Sequence, residues 1–173
     1  GKVSFKLSCP NGTKLTLRVR KPFWTDGVTC DAEMTEKNGY LVVEKVWNDG
    51  DTVFFDFAMP VRRVYASPYV RQDLGKVCLM RGPLVYCLEE ADNGNNLHLV
   101  SLPEESEIAL AQGEGVLSGM TTLKAKGLRI VPEEGTLYRG APCRRKEETQ
   151  LTFIPYFAWA NRGVGEMTVW VRE

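Results

Sequence analysis

Equal numbers of basic and acidic residues, 22 Lys plus Arg against 22 Asp plus Glu, leave this 173-residue chain with no formal net charge at pH 7. It sets up no long-range field to gather a polyanion, which argues against nucleic acid or an anionic membrane as a partner. The apolar fraction of 43% and charged fraction of 25% suit a globular chain able to hide about 70% of its unfolded surface, and no apolar run approaches the roughly 20 residues that span a bilayer.

Gly1 ahead of a strand-like pattern reads as the remnant of a cleaved tag, so further sequence upstream is expected. The missing signal peptide then assigns no compartment, and periplasm and cytoplasm both stay open. Val3–Leu7 and Lys14–Arg20 alternate apolar and polar residues with the period of two of half-buried strands. Pro10-Asn11-Gly12 between them predicts a hairpin, because Asn and Gly both tolerate positive φ. A second strand pair is expected from Tyr40–Trp47, entered through Asn38-Gly39, and Thr52–Met59, which stops at Pro60.

Further strands are predicted at 61–65, 77–80 and 84–88, the last two joined by Arg81-Gly82-Pro83. The polar run Ala91–Asn96 reads as a domain junction. Beyond it the pattern stays β at 97–102, 121–131, 151–157 and 167–171, with Glu104–Gln112 read as either a short helix or a loop. Strands this short and regularly spaced indicate an all-β sandwich or barrel rather than βαβ units.

Chemistry is sparse. The five cysteines, Cys9, Cys30, Cys78, Cys87 and Cys143, contain no CxxC, and His98 is the only histidine. They read as buried free thiols, not zinc ligands. Four acidic pairs, Glu89-Glu90, Glu104-Glu105, Glu133-Glu134 and Glu147-Glu148, invite comparison with the paired carboxylates of glycoside hydrolysis. Neighbours on a strand point to opposite faces, so adjacency does not build such a pair. No nucleophile elbow and no phosphate-cradling glycine loop occurs. Arg62-Arg63 and Arg144-Arg145-Lys146 read as solvated faces, and Asn11-Gly12-Thr13 fits a glycosylation acceptor that the turn explains equally well. Trp24, after Pro22-Phe23, and Trp159, in a loop-like stretch, are the candidate residues for stacking on a sugar, whereas Trp47 and Trp170 lie in strands where core packing is expected.

Three stretches are more distinctive. They are Leu17-Arg18-Val19-Arg20-Lys21-Pro22-Phe23-Trp24 with the later Gly39-Tyr40-Leu41 and Trp47-Asn48-Asp49-Gly50-Asp51, then Val77-Cys78-Leu79-Met80-Arg81-Gly82-Pro83-Leu84-Val85-Tyr86-Cys87-Leu88-Glu89, then Pro155-Tyr156-Phe157-Ala158-Trp159-Ala160-Asn161-Arg162-Gly163 running on to Gly165-Glu166-Met167-Thr168-Val169-Trp170. In this order they resemble the region after the catalytic domain of glycoside hydrolase family 127, the β-L-arabinofuranosidase family. The resemblance implies a missing (α/α)6 barrel that carries a cysteine nucleophile held on zinc by further cysteines and a glutamate. It implies no cofactor and no catalytic residue in the present chain, whose partner would be its own catalytic barrel, with a homodimer contact in some members. The expected architecture is two small antiparallel, jelly-roll-like β-sandwich domains, residues 1–90 and 91–173. One larger sandwich, with Met167–Val171 returning to the early strands, is the alternative. The expected function is that of a non-catalytic accessory region of a bacterial plant-glycan-degrading glycosidase. The rival is a carbohydrate-binding module using Trp24 or Trp159.

Overall fold

The computed structural model describes residues 1–133, 135 and 137–173, and the chain divides into two compact units, Gly1–Pro60 and Val61–Glu173. The first contains β1 (Lys2–Lys6), β2 (Thr13–Arg20), β3 (Val28–Cys30), β4 (Thr35–Lys37), β5 (Tyr40–Trp47) and β6 (Thr52–Phe57). Two three-stranded sheets, β1-β6-β3 and β2-β5-β4, share one core. Alternation decides what enters it. Val53, Phe55 and Phe57 of β6 are buried, while Thr52, Phe54 and Asp56 between them are exposed. On the other sheet Leu41 and Val43 stand opposite Val19 and Leu17, and the fully buried Trp47 donates its indole N–H to the Leu15 carbonyl at 2.9 Å.

Both expected strand pairs of this unit give way to crossings between sheets. β1 pairs with β6 and β2 with β5, so neither Asn11-Gly12 nor Asn48–Asp51 connects paired strands. The two connections bond each other instead. The Leu7 N–H donates to the Asp51 carbonyl at 2.8 Å, the Gly12 N–H to Asn48 Oδ1 at 3.1 Å, and the Asp49 N–H to Asn11 Oδ1 at 3.0 Å. Each turn thereby satisfies its backbone on the other, which local turn chemistry does not reveal. The hairpin that does form joins β4 to β5 through Asn38-Gly39, whose φ values of 52° and 76° supply the two left-handed residues of a type I′ turn.

The second unit contains β7 (Val61–Val64), β8 (Lys76–Arg81), β9 (Leu84–Glu89), a single helical turn α1 (Glu90–Asn93), β10 (Val100–Ser101), β11 (Ile108–Gln112), β12 (Thr121–Ile130), β13 (Lys146–Pro155), β14 (Met167–Thr168) and β15 (Val171–Arg172). Its ladder runs β9-β13-β12-β10-β15-β8 and returns to β9 through the β8–β9 hairpin, so six strands close a ring. Closure removes unpaired edges. Pairing is antiparallel except at one parallel bridge, Ser101 to Arg172. Leu79, Tyr86, Leu88, Leu123, Leu151 and Phe153 belong to the main core, and a smaller cluster is formed by Cys87, Leu117, Ile154 and Ala158. Buried side chains alternate between these two clusters along β9, which explains its continuous apolar run.

The chain is all-β, as expected. The first unit is two sheets on one core, whereas the ladder of the second closes on itself. The expected boundary at 90–96 is corrected: the division falls after Pro60, and Ala91–Asn96 lies within the second unit. Its polarity is structural. The buried Asn93 donates to the Glu89 and Thr152 carbonyls at 2.9 and 3.0 Å and accepts the Thr152 N–H at 2.9 Å, while Arg129 donates to the Asn95 carbonyl at 2.8 Å. The helix candidate at Glu104–Gln112 is also corrected, since Ile108–Gln112 forms strand β11 against β12. Met167–Val171 pairs with β9 and β8, not with the early strands. No helix among the described residues is long and apolar enough to cross a membrane.

Candidate functional site

Two of the distinctive stretches converge where β9 ends. Glu89 is only 5% exposed, yet both its carboxylate oxygens are engaged. Oε1 accepts the Ala160 N–H at 2.8 Å, and Oε2 accepts the guanidinium of Arg162, whose Nη1 also donates to Asp92 Oδ1 at 2.7 Å. One planar fork thus bridges two carboxylates from β9 and α1. These hydrogen bonds to carboxylates push the Arg162 pKa above the usual guanidinium value despite burial, so it stays charged. The loop that follows β13 is tied down along its length. Ala160 sits at φ 64°, a left-handed position unusual for a residue with a Cβ, and its N–H is the one that Glu89 holds. Further along, the Glu166 N–H donates to Glu90 Oε2 at 2.8 Å, and Glu166 accepts the N–H groups of Asn96 and Leu97.

What this clamp presents is aromatic. Tyr156 and Phe157 lie in a 3₁₀ turn at Tyr156–Ala158 and Trp159 follows it; the three are 46%, 60% and 40% exposed. The Tyr156 and Trp159 rings stack with centroids 6.1 Å apart and planes 29° from parallel. Of the two sugar-stacking candidates, Trp159 therefore has an exposed ring beside a second one. Trp24 is spent differently: it is partly buried, packs on the core of the first unit and meets Phe57 edge-on at 6.1 Å, while its neighbour Phe23 is exposed.

The other candidates resolve simply. Glu90 points away from Glu89 to the backbone of Glu166. Glu104, Glu105, Glu147 and Glu148 are exposed, and Glu134 lies outside the described residues. Arg63 donates to Glu173 Oε1 at 2.8 Å and to the Pro103 carbonyl at 2.7 Å, and Arg145 pairs with Glu147. His98 is exposed. Sequence reasoning missed the Glu89–Arg162 pair because its members lie 73 residues apart. The available signal was that each belongs to a distinctive stretch or borders one.

Residues 61–172 match the glycoside hydrolase family 127 C-terminal domain, and residues 1–59 match the GH127 middle domain of β-L-arabinofuranosidase, on either side of the structural division. The chain belongs to glycoside hydrolase family 127. Among GH127 relatives, a non-reducing end β-L-arabinofuranosidase of Bifidobacterium longum subsp. longum is 34% identical over 192 residues, covering 100% of this chain and 29% of that protein. The solved GH127 β-L-arabinofuranosidase of Geobacillus stearothermophilus T6 superposes with a TM-score of 0.87 at 39% identity, over 100% of this chain and 28% of that one. A second GH127 β-arabinofuranosidase structure gives 0.81 at 28% identity, over 99% and 30%. This chain thus spans less than a third of the length of these relatives.

The cysteine-held zinc implied by the GH127 resemblance does not fit the residues present. Among those described, no three His, Cys, Asp or Glu side chains stand together as a ligand set. Burial, with Asp73 nearby, pushes the Cys78 thiol up to about 11, and burial, with Glu89 nearby, pushes Cys87 up to about 12. A zinc ligand or nucleophile needs the thiolate that these environments disfavour.

Proposed function

We propose that this GH127 region supports a glycosidase whose chemistry resides in a catalytic barrel outside the sequence, and that it packs on and stabilises that barrel. The observation that carries this reading is the chain's match to the middle and C-terminal domains of relatives more than three times its length. The absence of a ligand set among the described residues and the raised thiols of Cys78 and Cys87 point the same way. The parent's substrate, by similarity to the named relatives, is a β-L-arabinofuranoside of the kind found in plant glycans, and its zinc belongs to the barrel.

The test is hydrolysis of an aryl β-L-arabinofuranoside. The 173-residue chain alone is expected to release no aglycone above the uncatalysed rate, whereas the full-length parent releases it readily. Turnover by the isolated chain, abolished by substitution of any residue in it, overturns the proposal. A homodimer contact is part of the same reading, and light scattering of the chain checks it.

A further inference from the structure

Trp170 is not a core residue, although its place in the strand pattern suggests one. It is half-buried at the bend between β14 and β15, with its carbonyl accepting from Thr168 Oγ1 at 3.0 Å. The bend arises because the chain leaves β9 at Thr168 and joins β8 at Val171, and an indole at such a corner cannot face the ring's interior as Val171 does. Two cavities of about 590 Å³ each meet at this side chain and share Lys76, Met167, Thr168 and Trp170 as lining. Tyr156 lines one of them, with Trp159 stacked on its ring. The indole N–H of Trp170 and the hydroxyl of Tyr156 have no hydrogen-bond partner among the described residues. By contrast, the indole N–H of the buried Trp47 is fully engaged.

From these features we propose that this groove binds a neutral oligosaccharide, with Trp170 at its centre and Tyr156, backed by the stacked ring of Trp159, as one wall. Sugar rings are amphipathic. They pack a C–H face on an aromatic surface and direct hydroxyls sideways to fixed donors and acceptors, which is the combination of aromatic faces and unengaged polar groups found here. The charges along the groove balance in number, Asp73 beside Lys76 at 3.9 Å and Glu166 and Arg172 both in the lining, so nothing selects an anionic ligand. A dry protein interface would leave the free indole N–H and the tyrosine hydroxyl desolvated and unpaired, at a cost that a hydroxyl-rich ligand avoids. The groove gives the proposed accessory region a substrate-holding role, so the inference rests on the reading that the parent acts on glycans.

The experiment titrates the intact 173-residue chain with a β-L-arabinofuranosyl oligosaccharide and with a neutral xylo-oligosaccharide, following tryptophan fluorescence and the ¹⁵N-labelled amide and indole resonances. Saturable shifts centred on the Trp170 indole N–H are expected, with Tyr156→Ala weakening the affinity about tenfold, as befits loss of one well-packed aromatic. Trp170→Phe, which keeps most of the buried surface, should weaken it as well, and Trp24→Ala should leave it unchanged. Shifts mapping outside the groove, no saturable shift with either sugar, or groove shifts that track protein concentration without sugar each overturn the proposal. The last result would assign the face to a second copy. These results are separable from the hydrolysis assay: sugar binding with turnover sinks the accessory reading and leaves the groove, and neither binding nor turnover does the reverse.

Discussion

Glu89 holds its carboxylate almost out of solvent at the end of β9, and among the described residues only the Arg162 fork and one backbone N–H compensate it. Arg162→Ala strands that charge, and about 3–5 kcal/mol of destabilisation is expected. Arg162→Lys, a point charge without the planar fork, should recover only part of it, and urea unfolding of the three proteins measures the difference. The thiols give a second test. Cys78 and Cys87, raised to about 11 and about 12 from an ordinary 9.0, stay protonated in the folded chain where unfolded cysteines ionise. Their contribution to stability is complete below pH 9 and is lost as pH rises from there through the folded values. The melting temperature should therefore fall between pH 9 and about 12, and fall less in a Cys78→Ala, Cys87→Ala double variant. At this scale the sequence was partly legible. Cys78 and Cys87 were read correctly as buried free thiols, whereas Cys9, Cys30 and Cys143 are free but only partly buried, Glu89 looked like half of a solvated acidic pair and Trp170 looked like core. Both misreadings share a cause: a side chain's environment depends on residues distant in sequence.

Strands with strict alternation were read close to their observed limits, because a half-buried strand writes its burial into every second residue. Thr52–Phe57 is such a case. The connection read at Arg81-Gly82-Pro83 also held, as a two-residue turn at Gly82-Pro83 where φ at Gly82 is 57°, whereas Asn38-Gly39, read only as the entry to Tyr40–Trp47, joins it to the unforeseen strand β4. Asn11-Gly12 failed as a hairpin because its partners are the residues around Asp49, and no local signal distinguishes a turn that reverses a strand from one that crosses to another sheet. The three-residue strands β3 and β4 carry too few positions to show a period at all. The segment Ile108–Gln112 carries weak preference of its own, and it takes its strand form from β12 beside it.

At the scale of the whole molecule, the division after Pro60 predicts how the chain can be cut. Residues 61–173 retain the closed six-strand ring and its core, so this piece is expected to give dispersed amide resonances and a cooperative unfolding transition. A cut at the polar run after Asn93 removes β8 and β9 from the ring, and residues 94–173 alone should remain unfolded by circular dichroism and by amide dispersion. Equal stability of the two pieces would mean that ring closure is not what holds the second unit. Composition, charge balance and period-two patterning determined on their own that the chain is all-β and without net charge, since these depend only on residue type and near neighbours. Which strands pair, where the units divide, that Glu89 and Arg162 form a clamp and that the half-buried Trp170 lines a groove were decided by tertiary structure. Those outcomes are set by contacts between residues tens of positions apart, whose formation depends on the closure of the sheets.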